Sequence, residues 1–365
     1  MTRALLVLNV GSSSVKFRVF GASAALPLLA DGRVTGIGSA PEFALHGETS
    51  QSLEPETSQA EAIERVLDYV TSDRHEWQLA AAGHRIVHGG EEFQHPVVLD
   101  EDVLSRLDRF TPLAPLHQRH NLAAVRAVAK LYPDLPQIGC FDTAFHGNHD
   151  LVTRSYALPE SLRRQGIRRY GFHGLSYEWA AAVLADDPGG APERVVVAHL
   201  GNGASLCAIK NGTSVDTTMG MTALEGLPMG TRCGALDPGA VLYMLRSCDL
   251  TLAQVERILH DESGLKGLSG GISDMAELLR QTSPEAQLAV NYFILRVAQK
   301  IAEMTVSLGG LDLLVFTGGI GENAESVRAS IVKRLAFLPE FAVRVIAADE
   351  ERMIARHTLG ALPDH

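Results

Sequence analysis

The segment LLVLNVGSSSVKF, Leu5–Phe17, sets a glycine and three serines between two apolar runs. An ordinary polar hairpin turn would account for it, since Asn-Gly alone can close a hairpin. A row of hydroxyls with accessible backbone N–H groups would equally make an anion cradle. Two more glycine-rich turns follow apolar strands, GNGAS at 201–205 and GGIGEN at 318–323. Glycine leaves N–H groups open to phosphate oxygens, and turns at strand ends are where α/β folds hold ligands. Together with residues 9–14, these turns favour a nucleotide site. Neither a GxxxxGK[ST] loop nor a protein-kinase glycine loop is present. Cations stand nearby in type. Arg85 in GHRIVHGG and Arg232 in MGTRCG each close an apolar or glycine-rich segment. A guanidinium can grip carboxylate or phosphoryl oxygens bidentately, although surface arginines would read the same way. His173 in YGFHG follows an aromatic residue, a setting that also suits a core histidine. Asp142 in CFDTAFH fits either a cleft carboxylate or a buried turn acid satisfying backbone N–H groups.

Other patterns carry less. GLSGG at 267–271 matches GxSxG, but no strand precedes it, which argues against a hydrolase elbow. His84 and His88 are four apart on a strand rather than a helix, so they do not form a helical metal pair. Cys140, Cys207, Cys233 and Cys248 form no CxxC or zinc spacing; Cys140 and Cys207 lie in apolar context and read as core thiols.

These residues must be positioned by a sizeable scaffold. A chain of 365 residues has two domains as its prior. With 46% hydrophobic and 21% charged residues it has the makeup of a globular protein with a large core. The formal charge of −11 argues against a nucleic-acid or membrane-surface binder while leaving room for a local basic pocket. No uncharged run approaches a membrane span, and the apolar run Ala4–Leu8 is short for an export signal. A cytoplasmic location with free thiols is expected. Residues 3–20 read as strand, turn, strand; 31–58 as irregular or edge structure; 57–70, 121–132 and 173–186 as helices. RVVVAHL is a strong strand, 285–308 a long helix, and LDLLVF (311–316) a strand before a turn and another helix at 324–338. LLVLNVGSSSVKFRVF and VVVAHLGNGASLCAIKNG share one plan half a chain apart, which suggests a duplicated unit. Strands alternating with helices indicate an α/β protein with mixed sheets.

LVLNVGSSSVKF, GHRIVHGG, LAPLH, CFDTAFH, YGFHGLSYE, AHLGNGAS, TALEGLPMGTRCG and FTGGIGEN, in this order, closely resemble the acetate kinase family from Arg3 to about Arg356. The resemblance implies the actin, sugar-kinase and Hsp70 superfamily: an α/β fold of two duplicated RNase H-like domains around a nucleotide cleft. The domains expected are 1–150, joined by 351–365, and 151–350. It implies reversible phosphorylation of acetate by ATP to acetyl phosphate and ADP, with magnesium (manganese as an alternative) and a homodimer. The near alternative is a propionate kinase of the same family; a more distant one is a sugar kinase. Departures from the family pattern include HQRHNL for HNPANL, Ala223 for the proline of TPLEG, Cys233 and Leu236 in GTRCGALDPG for GTRSGDIDPG, Ala276 in SDMAE, and AADEERMIAR for PTNEELxIAR.

Joining a carboxylate to the γ-phosphate of ATP brings two anions together. No strong base is needed, because carboxylic acids titrate near about 4; cations and exclusion of water are. By resemblance, Arg85 holds the carboxylate, and Arg85 and Arg232 steady the transferring phosphoryl group. His173 donates to it in the transition state, His117 and His199 are lesser candidates, and Asp142 orients Arg85 or the substrate. Asn9 and Glu350 match metal positions, with Glu351 adjoining. Ser12, Ser14 and Lys16 match the first phosphate turn, although Lys16 also reads as a strand-edge charge. His199, Leu200, Gly201, Asn202 and Gly203, running on to Ser205, match the second. Gly319, Ile320, Gly321, Glu322 and Asn323 match the turn beside the nucleotide sugar, and Asp274, Met275 and Ala276 the adenosine side. Val87, Leu116, Phe172 and Ala223 would wall the pocket for the acetate methyl.

Overall fold

The structure is a computed structural model that describes residues 1–115 and 117–362. It divides into two compact units: Met1–Ala144 with the segment from Asp349 onward, and Phe145–Ala348.

The first unit is built on β1 (Thr2–Val10), β2 (Ser14–Gly21), β3 (Leu28–Thr35), β4 (Glu42–Leu45), β5 (Gln51–Ser52), β6 (Trp77–Ile86), β7 (Val97–Val98) and β8 (Gln137–Phe141). Their order is β5-β4-β3-β2-β1-β6-β8-β7. Strands β1, β2 and β3 form an antiparallel meander, while β1, β6 and β8 run parallel. Period-two alternation assigns the faces. Ala4, Leu6, Leu8 and Val10 join Val15, Phe17 and Val19 in a core under the helix Gln59–Val70. That helix starts where Ser58 and Glu61 form a capping box. The opposite face is covered by the C-terminal helix Glu350–Gly360, so Leu5 and Val7 are buried too. Gly83 permits this: a Cβ there would lie 2.2 Å from Thr358 Oγ1 and 2.7 Å from Ile354 Cγ2. The close approach brings the start of the C-terminal helix to the ends of β1 and β6.

In the second unit, β9 (Arg194–Leu200), β10 (Ala204–Lys210), β11 (Thr213–Thr217), β12 (Leu313–Thr317) and β13 (Ala342–Val345) order as β11-β10-β9-β12-β13. The first three are an antiparallel meander and β9, β12 and β13 are parallel. This repeats the β3-β2-β1-β6-β8 order of the first unit. Val195 and Val197 pack with Tyr177, Ala180 and Leu184 of the helix Gly174–Ala185. The long helix Pro284–Leu308 buries Phe293, Val297 and Ile301; Ser283 caps its start and Gly309, at φ 74°, ends it.

Local expectations are met with three adjustments. Residues 318–323 are a helical turn continuing from β12 rather than an open loop. The helix expected at 121–132 begins earlier, at Gln118, and that expected at 324–338 is ordered as helix only over Glu325–Arg334. Cys140 and Cys207 are buried, and all four cysteines are thiols outside any disulfide.

Candidate active site

In the first unit, Asn9 ends the β1 face that carries Val7, and Arg85 stands beside it on β6. Register places Leu8 opposite His84 and Arg85 opposite Cys140 of β8, two residues before Asp142. Arg85 Nε and Nη2 donate to Asp142 Oδ1 and Oδ2 at 2.9 and 2.6 Å, a bidentate fork. Arg85 Nη1 donates to Asn9 Oδ1 at 3.3 Å. Asp142 is buried, and its side chain serves the arginine rather than only turn N–H groups. Burial alone would depress the guanidinium pKa, but Asp142 and Glu350 more than offset it and hold Arg85 charged.

Glu350 and Glu351 arrive in the first turn of the C-terminal helix. Glu350 lies 3.9 Å from Arg85 Nε, and Glu351 Oε1 accepts from Asn9 Nδ2 at 3.4 Å. Burial, with the neighbouring Asp142 and Glu351 carboxylates, raises the Glu350 carboxyl to about 7 despite the opposing pull of Arg85. The helix start is clamped. Asp349 caps it, accepting from Arg352 N at 3.1 Å, from Arg352 Nε at 3.0 Å and from Arg18 Nη1 at 2.7 Å. Arg18 also reaches Asp31 at 3.2 Å. Two departures from the family pattern, Asp349 and Arg352, are therefore partners in one ion pair. Asn9 Oδ1 and the Glu350 carboxylate are hard oxygen donors of the kind a divalent cation takes, so the residues present fit one.

The β1–β2 turn has Ser12 exposed and Ser14 half-buried, closed by Gly11 N donating to Ser14 O at 2.8 Å. Lys16 is exposed and pairs across strands with Asn9. Val87 is buried; its N–H donates to Asn121 Oδ1 at 3.0 Å, while Asn121 Nδ2 donates to Val10 O at 2.7 Å. Gln118 brackets His88 on both backbone sides. Sequence reading misses Asn121 and Gln118. Their signal is a polar residue on the apolar stripe of an amphipathic helix, where both are buried. His117 is the residue before that helix. Leu116 lies outside the described residues.

In the second unit, His173 precedes the helix Gly174–Ala185 in the left-handed region, φ 58°. Histidine visits this region more readily than most residues. Its ring stacks on His199, with centroids 4.4 Å apart. Gly201 and Gly203 lie beneath the pair, and a Cβ on Gly201 would come within 3.8 Å of Gly319 N. Gly230 N donates to Asn202 O at 3.1 Å, tying the MGTRCG loop to this turn. From that loop Arg232 Nη1 donates to the Ala223 carbonyl at 3.0 Å. The structure therefore gathers His173, His199, Gly201, Asn202, Gly203 and Gly319, and separately joins Arg232 to Ala223.

Other expected contacts are limited by what the side chains already do. Leu200, Met275 and Phe172 are buried, so Leu200 and Met275 can offer a nucleotide only backbone. Asp274 caps the short helix Met275–Leu278 by accepting from Glu277 N at 2.8 Å, leaving Ala276 in its first turn. Glu322 Oε1 accepts from Gly318 N and Ala348 N, both at 3.0 Å, and Asn323 Nδ2 donates back to Gly319 O at 2.9 Å. Ile320 and Gly321 complete that turn. Its amides lie at the helix start, where anions bind favourably.

Two solved structures share this architecture over nearly their whole length. A propionate kinase from Francisella tularensis has a TM-score of 0.93 and 34% identity, covering 99% of this chain and 100% of that one. An acetate kinase from Porphyromonas gingivalis has a TM-score of 0.89 and 34% identity, covering 98% and 99%. The duplicated sheets with charged and glycine-rich strand ends are those of a kinase of the actin-like ATPase fold. Residues 4–357 match the model of the acetokinase family. The acetate kinase of Nitrobacter hamburgensis is 46% identical over 99% of this chain and 96% of its own. The chain belongs to the acetokinase family. None of the helices among the described residues is long and apolar enough to cross a membrane.

Proposed function

We propose that this enzyme transfers the γ-phosphoryl group of ATP to acetate, reversibly and in line, giving acetyl phosphate and ADP. The observation that carries this is the Arg85–Asp142 fork beside Asn9. A carboxylate acceptor is already ionised and needs a fixed cation. Arg85, its orientation held by Asp142, is such a cation; it binds the acetate carboxylate and then the phosphoryl oxygens. Arg232, braced on the Ala223 carbonyl, and His173 add positive charge and a donor where charge develops. Asn9 and Glu350 would hold a divalent cation, magnesium by preference, which would supply neutralisation of phosphate charge; Glu351 keeps Asn9 oriented. Ser12, Ser14 and Lys16 serve the phosphates. Gly201, Asn202, Gly203 and Gly319–Asn323 serve the nucleotide.

A sugar kinase would need a free carboxylate base for a hydroxyl acceptor, and Asp142 is committed to Arg85. Propionate is favoured as a second substrate by Ala223, which stands at the family's proline position. The helix Pro238–Ser247 buries none of its residues, and Leu242 and Tyr243 are exposed, which supports a homodimer through this face. A cytoplasmic location accords with cysteines kept as thiols. Trapping the product with hydroxylamine in the presence of ATP, magnesium and acetate, propionate or glucose tests the reading. Hydroxamate from the carboxylates and no ADP release with glucose is expected. ADP release with glucose alone would overturn it.

A further inference from the structure

Between β11, which ends at Thr217, and the helix that starts at Pro238, the second unit has no helix or strand. Ala223 and Arg232 both lie in this stretch, so neither is set in place by a regular element. Contacts made by side chains have to hold such a segment instead. The part from Thr218 to Gly226 is a loop closed at its base. A Cβ on Gly226, at φ 104°, would lie 2.6 Å from Thr218 O, so the two legs touch through a residue that has to be glycine. Beyond that base the chain runs out through Met221 and Ala223 and returns at Glu225.

Three half-buried side chains grip this loop. Glu225 accepts at both carboxylate oxygens, Oε1 from Arg169 Nη2 at 3.1 Å and Oε2 from the Tyr156 hydroxyl. The same hydroxyl accepts from Met221 N at 3.0 Å, so it ties the outgoing leg to the returning one. Arg169 makes that tie a second time. Its Nη1 donates to Met219 O at 3.3 Å while Nη2 holds Glu225, and its guanidinium lies over the Tyr156 ring, 5.4 Å from the centroid. Gly220 leaves room for the network, because a Cβ there would collide with Glu225 Oε2 and Tyr156 Oη. What the loop presents is the Ala223 carbonyl, to which Arg232 Nη1 donates at 3.0 Å. A carbonyl aims a guanidinium only as well as its own backbone is fixed. We propose that Tyr156, Arg169 and Glu225 are positioning residues that hold the 218–226 loop so that its Ala223 carbonyl orients Arg232. The inference rests on the reading of Arg232 as a cation that steadies the transferring phosphoryl group. The grip on the loop does not depend on it.

The test uses the full chain and two changes that conserve shape. Tyr156→Phe keeps the ring beside Arg169 and loses the hydroxyl; Glu225→Gln keeps the length and loses the charge. In both, amide hydrogen exchange of a peptide spanning 218–226 should rise severalfold, while that of the helix Pro284–Leu308 stays as in the wild type. In both, kcat should fall about tenfold or more with KM for acetate and for ATP held within about twofold, as expected when a transition-state cation is misplaced. In an Arg232→Ala background the same two changes should lower kcat by less than about twofold further, because the guanidinium they serve is gone. A merely structural role would cost the same factor in either background. Equal losses with and without Arg232 would therefore overturn the proposal, and so would exchange of 218–226 that neither change alters. Near-normal kcat in Arg232→Ala itself would overturn the reading of Arg232 instead, with the exchange of the loop still deciding whether the three side chains hold it.

Discussion

The β1–β2 and β9–β10 hairpins occupy the same place in two sheets of the same order, yet they present opposite chemistry. Asn9 pairs with Lys16 and neighbours Arg85; His199 pairs with Ser205 and faces Thr317 across the parallel strand. The first turn lies between paired Val10 and Val15, the second between Leu200 and Ala204, so the first is one residue longer and holds the serines. The β6 strand then runs into a loop pinned by Gln118 and Asn121, whereas β12 runs directly into a helical turn with glycines at its start. The first hairpin thus stands beside a fixed cation and oxygen ligands, and the second beside glycine amides and imidazole rings. Duplication supplied strand ends as positions; local substitutions supplied the chemistry.

The sharpest break of this contrast is to remove a charge. Arg85→Ala should lower kcat by about 100-fold or more, since one charge-stabilising donor carries roughly 3–4 kcal/mol, and Arg232→Ala should do likewise from the other unit. Near-normal kcat in a steady-state assay of either variant removes that arginine from the mechanism. Next in size is the metal side. Glu350→Ala should raise the magnesium concentration needed for half-maximal rate well above the rise caused by Glu351→Ala, a difference readable by titration. Equal or reversed effects would show that Glu350 is not the preferred metal carboxylate. Smaller again is acyl selectivity. Ala223 lacks the ring carbons of the proline usual there, and one methylene in an apolar pocket is worth roughly 1–3 kcal/mol in discrimination. Ala223→Pro should lower the propionate-to-acetate ratio of kcat/KM; an unchanged ratio shows that the wall lies elsewhere.

The smallest effect concerns stability. His84 and His88 of the first unit and His149 of the second are buried, and burial pushes each down to about 4. For His149 the charge of Arg169 adds to the effect of burial. An unfolded histidine titrates near about 6.5, so each of these rings contributes stability that is present above that pH and is lost as pH falls toward the folded value. Acid unfolding should therefore set in between those limits. His84→Leu should move its midpoint, followed by circular dichroism, to lower pH. A midpoint that does not move, or that rises, would show that neutral His84 is not among the groups setting acid stability.

Much of the fold is legible from the chain. The apolar runs around GSSS and GNGA announce both central hairpins, and Ser58 with Glu61 announces a helix start. GGIGEN reads as a loop because glycine is a poor helix former, and its helical turn is set by Glu322 reaching back to Gly318 N. The site is legible in residue types but not in partners. Arg85 and Asp142 are 57 positions apart and meet only because β6 and β8 are neighbours in the sheet. Ser205 reads as a turn hydroxyl because no local pattern records that it lies under Tyr177. The ion pair of Asp349 with Arg18 and Arg352 is hidden likewise, since Arg18 is 331 positions away.

The C-terminal helix lies on the sheet at Gly83, yet all of the second unit precedes it in the chain. During synthesis the first sheet therefore leaves the ribosome long before the helix that covers one of its faces. Leu5 and Val7 wait uncovered while more than half of the protein is still being made. That exposed face is a natural target for a holdase chaperone. A chain that stopped before residue 349 would lack both glutamates and the helix that covers Leu5 and Val7.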